Sequence, residues 1–542
     1  MGLYSRSIVA GVITLAFLTG PALSANTHPI TGEALADDQT FKYSLIADPS
    51  SLDPQLTEDV AGAEIVRDLF EGLMNQAADG TLVPGVATGF TANADNTVYT
   101  FHLRPEALWS DGAPVTADDF VYAWRRAIDP RTASPYAWFV EVMGLKNAGK
   151  IARGKAPVDT LGVEAIDDRT LRVSLSASIP YFALMTTHQA TFPTPSWAIS
   201  AHGSAWTQPD NIVSNGAYIL TDYVAGKGSV RSRNARYWNN AETIIGTVIA
   251  YIVPNEDEAV SFFDSGGLDR VNVPSGQYPA LKASYPDEVK SFPRLCTYYY
   301  IFNMSEQGPV AFKDVRVRKA LSYAVDRNVI VDTVLQGGQF PAFTFTPGFV
   351  SGFSPPKVDH ENMTQMQRDA EAVGLMASAG YGPDNPLSFI VLYNTSQGHK
   401  NLAEAIIAMW HQKLGVNAQI QNMDWTGFLE QRGGQKFDIA RAGWCGDYNE
   451  ASTFLDLVQS RSGYNDGKYS NPEVDDLLAA SRTTPDPQSN YTQIERLLAE
   501  DMPLIPIYHY SGTMMLSAKL KNWPLRNVEQ VWYSRNLYKS AD

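Results

Sequence analysis

Cysteine is almost absent. The 542 residues hold two, Cys296 and Cys445. Neither has a second cysteine or a histidine at ligand spacing beside it, so a structural zinc site is not supported. The eight histidines are scattered, and none pairs at the i, i+4 spacing of a helical metal site. His399 and His411 stand roughly three turns apart on any shared helix, on different faces. A Gly-x-Ser-x-Gly elbow and a dinucleotide fingerprint are missing. Gly226-Lys227-Gly228-Ser229 lacks the upstream glycine of a phosphate loop, and Lys227 is not followed directly by serine or threonine. The chain therefore reads as a non-enzyme with no cofactor and no metal.

Positive charge is scarce as well. Lys and Arg total 42 against 58 Asp and Glu, a net charge of −16. That balance argues against nucleic acid or an anionic membrane as partner. Beyond the amino-terminal segment no apolar run is long enough to span a bilayer, so the mature chain is expected not to be membrane-inserted.

What is present points to large cores. Hydrophobic residues make up 44%, with 11 Trp, 26 Tyr and 23 Phe, which excludes global disorder. The length exceeds one core, so two or three domains are expected. The first 25 residues differ from the rest. Arg6 precedes an apolar run at residues 8–18 (IVAGVITLAFL), and small residues follow at 21–25 (PALSA). This reads as a secretory signal peptide cleaved between Ser24 and Thr27, with a retained anchor as the alternative. No cysteine closely follows the run, so no lipid attachment is expected. In a Gram-negative cell the destination is the periplasm. For an exported chain, two cysteines read first as one disulfide and second as two buried thiols.

Short mixed elements dominate. Residues 98–103 (VYTFHL) and 170–175 (TLRVSL) read as strands. Thr116 with Asp118 and Asp119 is an N-cap signature, before a helix face of Phe120, Ala123, Trp124 and Ala127. A turn at 214–216 precedes a strand at 217–220, and 243–252 is β-rich. Residues 315–335 carry helical spacing up to Gly337-Gly338. Leu402, Ile406, Met409 and Trp410 mark another helix, and Ile494, Leu497 and Leu498 a third. Strands are expected at 388–393 and 437–441. The class is α/β or α+β with mixed sheets.

One stretch does not read as core. Residues 440–450, ARAGWCGDYNE, gather a cation, aromatics, a cysteine and carboxylates between two glycines. Asp447 could accept hydrogen bonds from a cationic ligand group, with Trp444 and Tyr448 as walls that lower the local dielectric. Arg441 could meet an anionic group. Alternatively Arg441 and Asp447 pair with each other, and the aromatics are core.

Longer motifs carry a resemblance. LDPQLTEDVAGAEIVRDLFEGL (52–73), DGTLVPGVATGF (79–90), the run YTFHLRPEALWSDGAPVTADDFVYAWRRAIDPRTASPYA (99–137), LCTYYYIFNM (295–304), FKDVRVRKALSYAVDRNVIV (312–331) and ARAGWCGDYNEASTFLDL (440–457) occur in this order. They resemble the peptide-binding receptors of ATP-binding-cassette importers, solute-binding protein family 5, from about residue 42 to the carboxyl end. The resemblance implies a periplasmic binding protein-like type II fold, with two hinged lobes and an extra domain. Its expected parts are a signal peptide (1–25), a discontinuous domain I (26–70, 196–295 and 515–542), domain II (71–195) and domain III (296–514). It also implies a monomer that holds an extended peptide in the cleft and delivers it to an inner-membrane permease. By the same resemblance Asp447 holds the peptide ammonium, Gly443 and Cys445 present backbone groups, and Cys445 is bridged to Cys296. Glu58 and Val60 match a segment that pairs with ligand backbone. Tyr136, Asn272, Trp425, Arg432, Arg441 and Trp444 match other cleft positions. His399 matches a histidine that meets the ligand carboxylate. A lysine of the family falls on Leu335 here, followed by Gln336, so one carboxylate anchor is missing. Members that bind murein peptides share these motifs. The alternative is therefore a receptor for murein peptides, opines or another small zwitterionic solute.

Overall fold

The computed structural model describes residues 26–541 except Ser275 and Pro485, and only the backbone of Trp425 and Thr426. The expected signal peptide lies outside the described residues. An 11-stranded mixed sheet forms the frame. Two long strands, Val289–Phe302 and Leu504–Leu516, run antiparallel through its middle and belong to both halves. On one side Arg270–Asn272, Thr40–Leu45, Thr247–Ile252, Gly228–Arg233 and Tyr218–Val224 follow in order. On the other side lie Ile439–Cys445, Ser388–Asn394 and Asn417–Met423, and the eleventh strand, Phe340–Pro341, pairs with Leu504–Leu516 off this path. Among the described residues the two long strands alone carry the sheet from one half to the other. Their mutual register shifts between Pro293 and Thr297, and such irregularities bend a strand locally.

A separate antiparallel sheet of four strands holds Ala87–Ala92, Val98–Leu103, Thr170–Ser174 and Val163–Asp167. Helix Ala117–Ile128 covers it, burying Phe120, Ala123, Trp124 and Ala127 as the pattern required. Thr116 and Asp119 form the expected capping box, and Asp119 also accepts from Trp109 Nε1 at 3.1 Å.

The expected helix over 315–335 is not continuous. Val315–Tyr323 ends, and Arg327–Val329 runs on into a π-helical turn, Ile330–Leu335. Between them Asp326 caps the second piece, with Val329 N–H donating to Oδ1 at 3.2 Å. Arg327 turns inward and is fully buried. It donates to the carbonyls of Ser322, Val325, Ala342 and Pro506. Two of those carbonyls belong to the broken turn, so the arginine replaces the helix bonds lost there. With no buried carboxylate beside it, burial pushes its guanidinium down to about 9.

A continuous core joins the half-sheet around Phe41, Tyr43 and Val248 to the four-stranded sheet around Phe101 and Trp124. Two further cores pack on opposite faces of the other half. Buried ion pairs lock the amino-terminal segment. Arg231 meets Asp68 at 2.7 Å, both fully buried, and Arg126 grips both oxygens of Asp53. No helix among the described residues is long and apolar enough to cross a membrane.

Candidate functional site

The strand Ile439–Cys445 builds the site. On one edge it pairs along its whole length with the crossing strand, from Phe302↔Ile439 to Cys296↔Cys445. On its other edge the parallel ladder with Ser388–Asn394 stops at Leu392↔Ala440. Among the described residues, 441–445 therefore offer one edge with no neighbouring strand. An open edge of this length accepts the backbone of an extended chain.

The two cysteines stand directly opposite each other and form a disulfide, with Cα atoms 4.0 Å apart. Gly446 then bonds back to Leu295 O at 2.8 Å. A Cβ there would lie 2.6 Å from Leu295 Cδ2 and 2.8 Å from Thr453 Cγ2, so only glycine makes this approach. The bend delivers Asp447, whose N–H donates to Thr453 Oγ1 at 3.1 Å.

Asp447 opens into a cavity of about 230 Å³ walled by Trp138, Trp444, Tyr448 and Tyr464. Asp456 in the same cavity is ion-paired with Arg482 at 3.0 Å. Among the described residues Asp447 has no ion-pair partner, and Arg441 does not neutralise it. Burial alone pushes its carboxyl up to about 7. Sequence reasoning missed its neighbour Glu529. Burial, aided by the Asp447 charge, pushes Glu529 up to about 8, and it accepts one hydrogen bond from Gln76 Nε2 at 2.8 Å. The Arg67 charge acts on Glu529, but no cation is ion-paired with either acid among the described residues, so Asp447 can receive one from a ligand. Tyr136 lies between this pair and the amino-terminal turn: burial first, then the charges of Asp447, Glu58 and Asp59, raise its phenol.

That turn is set by Asp59, which caps helix Val60–Leu69 by accepting from Gly62 N–H at 2.7 Å. It leaves Glu58 and Val60 exposed. Val60 and Asn272 line a second cavity of about 410 Å³ beside the crossing strands.

The opposite end of the open edge is cationic. Arg441 donates to Asn394 Oδ1 at 3.3 Å and lies 5.1 Å from the centre of the Tyr298 ring. Its Nε is buried without a partner, and it forms no ion pair among the described residues. A Cβ on Gly443 would come 3.2 Å from Arg441 Nη2, so the glycine leaves room for the guanidinium. His399 Nδ1 is 3.4 Å from Tyr298 Oη. Burial, then the Arg441 charge, hold its imidazole down at about 4. A carboxylate placed here would meet a guanidinium with no ion-pair partner among the described residues and a neutral histidine able to take up a proton.

The remaining expected positions divide. Trp444 is half-buried against Tyr464 and leaves its Nε1 unbonded. Tyr448 is core, stacked on Tyr181 at 5.0 Å. Arg432 is ion-paired with Asp466 at 2.8 Å. Trp425 opens the helix Trp425–Gly433, and its side chain lies outside the described residues. Among the described residues no group of three potential metal ligands occurs.

Known proteins resemble this chain along most of its length. The family model "Bacterial extracellular solute-binding proteins, family 5 Middle" matches residues 81–466. The chain belongs to solute-binding protein family 5. It is 41% identical to the periplasmic oligopeptide-binding protein OppA of Escherichia coli K12, over 98% of each chain. It is 40% identical to the periplasmic murein peptide-binding protein MppA of the same strain, over 95% of this chain and 96% of that one. A solved structure of MppA, in its unliganded open form, superposes with a TM-score of 0.85 at 40% identity, covering 94% of this chain and 99% of that one. The fold is thus that of the family 5 binding proteins. These relatives are solute-binding proteins rather than enzymes.

Proposed function

We propose that this protein is a periplasmic receptor that captures short peptides between its lobes and delivers them to an inner-membrane ATP-binding-cassette permease. One observation carries the reading. An open strand edge at 441–445 runs from the guanidinium of Arg441 toward the half-buried carboxylate of Asp447, neither of them ion-paired among the described residues. Backbone, ammonium and carboxylate are the groups every peptide shares, and this arrangement addresses all three. The peptide lies antiparallel to the edge, amino end at Asp447. Six residues separate the two anchors, which spans at most roughly 20 Å, so peptides of about six residues or fewer reach both. Glu58, Val60, Tyr136 and Asn272 face the ligand from the other lobe. Residues 26–70, 196–295 and 515–542 make domain I, 71–195 domain II and 296–514 domain III. The crossing strands are the hinge. The protein acts as a monomer, after removal of the leader at residues 1–25. Similarity to OppA supports the ligand class.

MppA is almost as similar, and Leu335 occupies the place of a carboxylate-binding lysine. A receptor for murein peptides or another small zwitterion is the second reading. Native mass spectrometry of the protein taken from the periplasm separates the two. Bound masses that fragment into mixed short peptides with free ends are expected. A single murein-derived mass supports the second reading, and a non-peptide solute overturns both.

The reading makes affinity depend on pH. Asp447 titrates at about 7, above its ordinary 3.8. Its contribution to stability is therefore present below its ordinary value and lost as pH rises through about 7, and a bound ammonium offsets that loss. Affinity for a free-amine peptide should fall by roughly tenfold per unit as pH drops from about 7 to about 5. Calorimetry across that range checks it, and a flat profile contradicts it.

A further inference from the structure

Arg294 sits where the two crossing strands lose register, between Pro293 and Thr297. It lines the cavity of about 410 Å³ together with Asn272, Ser511, Gln530 and the Arg270–Glu64 pair. Glu64 is engaged, by Arg270 at 3.3 Å and by Trp532 Nε1 at 3.4 Å. Arg294 is not. Among the described residues no carboxylate is paired with it and no oxygen accepts from it. Several arginines withdrawn from water are provided for: Arg231 has Asp68, Arg126 has Asp53, and Arg327 has its carbonyls, whereas half-buried Arg294 has none of these. A cation removed from water without a partner is unfavourable. Burial accordingly pushes the Arg294 guanidinium below the ordinary arginine range.

Its position decides what it meets. Cys296 is opposite Cys445, and Gly446 N–H bonds to Leu295 O. Arg294 stands two residues before Cys296 and Asp447 two after Cys445, so both lie past the same end of the bridged ladder. The cavity at Arg294 shares no lining residue with the one at Asp447. A peptide in extended form sends alternate side chains to opposite sides, so a side chain near its amino end faces Arg294. Asn272 turns its Oδ1 to Arg270 Nη2 at 3.1 Å, which leaves its NH₂ group without a partner among the described residues.

We propose that Arg294 is a specificity-determining residue, which receives the side-chain carboxylate of an acidic residue close to the amino end of the bound peptide. The proposal rests on the peptide reading, with the ammonium at Asp447. It makes this receptor favour acidic over neutral peptides, although its net charge is strongly negative.

The test is calorimetry on the full chain with Ala-Glu-Ala-Ala, Ala-Ala-Glu-Ala and their glutamine counterparts. At one of the two positions the glutamate form should bind about tenfold tighter, because a charge-assisted bond replaces a neutral one. Arg294→Met should bring that ratio to about one, and Arg294→Lys should keep part of it. Equal binding of glutamate and glutamine by the natural chain overturns the proposal, whatever the variants do. So does a ratio that survives Arg294→Met, or an equal weakening of both forms, which would make Arg294 a brace between lobes. Failure of every peptide to bind overturns the peptide reading itself and this proposal with it.

Discussion

Replacing Asp447 with alanine is expected to weaken binding of a free-amine tripeptide by about 3 kcal/mol, roughly a hundredfold. The size follows from what the ligand loses. Its ammonium enters a cavity walled by Trp138, Trp444 and Tyr464, where water no longer solvates it fully. Glu529 stands nearby, but burial favours its protonated form, so it replaces Asp447 poorly. Asp447→Asn should lose nearly as much affinity, because shape is kept and charge is not. The same change should not lower the stability of the empty protein. Burial alone raises the Asp447 carboxyl to about 7, so removing the charge removes an unfavourable term. Calorimetry and thermal unfolding on the same preparation read both quantities. A large loss of stability in Asp447→Asn would make the residue structural instead.

The second large effect concerns the brace. Changing Cys296 and Cys445 together to alanine is expected to cost roughly 5 kcal/mol of stability by the chain-entropy model, because the bridge closes 149 residues. Guanidinium unfolding, with and without reductant on the natural chain, measures it. The damage should also reach the ligand. The bridge joins the crossing strand to the strand that ends one residue before Gly446 and Asp447. Peptide affinity should therefore fall in the double variant even where it remains folded. An unchanged unfolding midpoint would mean that the ladder alone holds the two strands.

Local signals in the sequence predicted local structure well. Thr116 and Asp119 cap their helix because a capping box needs only neighbours. Leu402, Ile406 and Trp410 are buried as their spacing implies. The failures come from longer range. The helix over 315–335 breaks because Arg327 finds carbonyls in the loop at Ala342 and in the strand at Pro506, which helical periodicity does not encode. The strand expected at 437–441 instead runs Ile439–Cys445. Its later residues, Arg441 to Cys445, carry no apolar alternation, and pairing with Cys296–Tyr300 makes them a strand. At the site, residue types at 440–450 left two readings of Arg441 and Asp447, and the structure keeps the two apart. Glu529 and Arg294 carried no sequence signal. What distinguishes them is a missing partner, which only tertiary structure reveals.

The central claim is that this cleft reads a peptide by its free amino end. Calorimetry of one tripeptide and its N-acetyl form on the natural chain tests it most directly. Acetylation is expected to weaken binding by about two orders of magnitude, matching the loss in Asp447→Ala. The acetylated peptide is also expected to bind the natural chain and Asp447→Ala alike. Equal affinities of the free and acetylated peptides for the natural chain would contradict the claim.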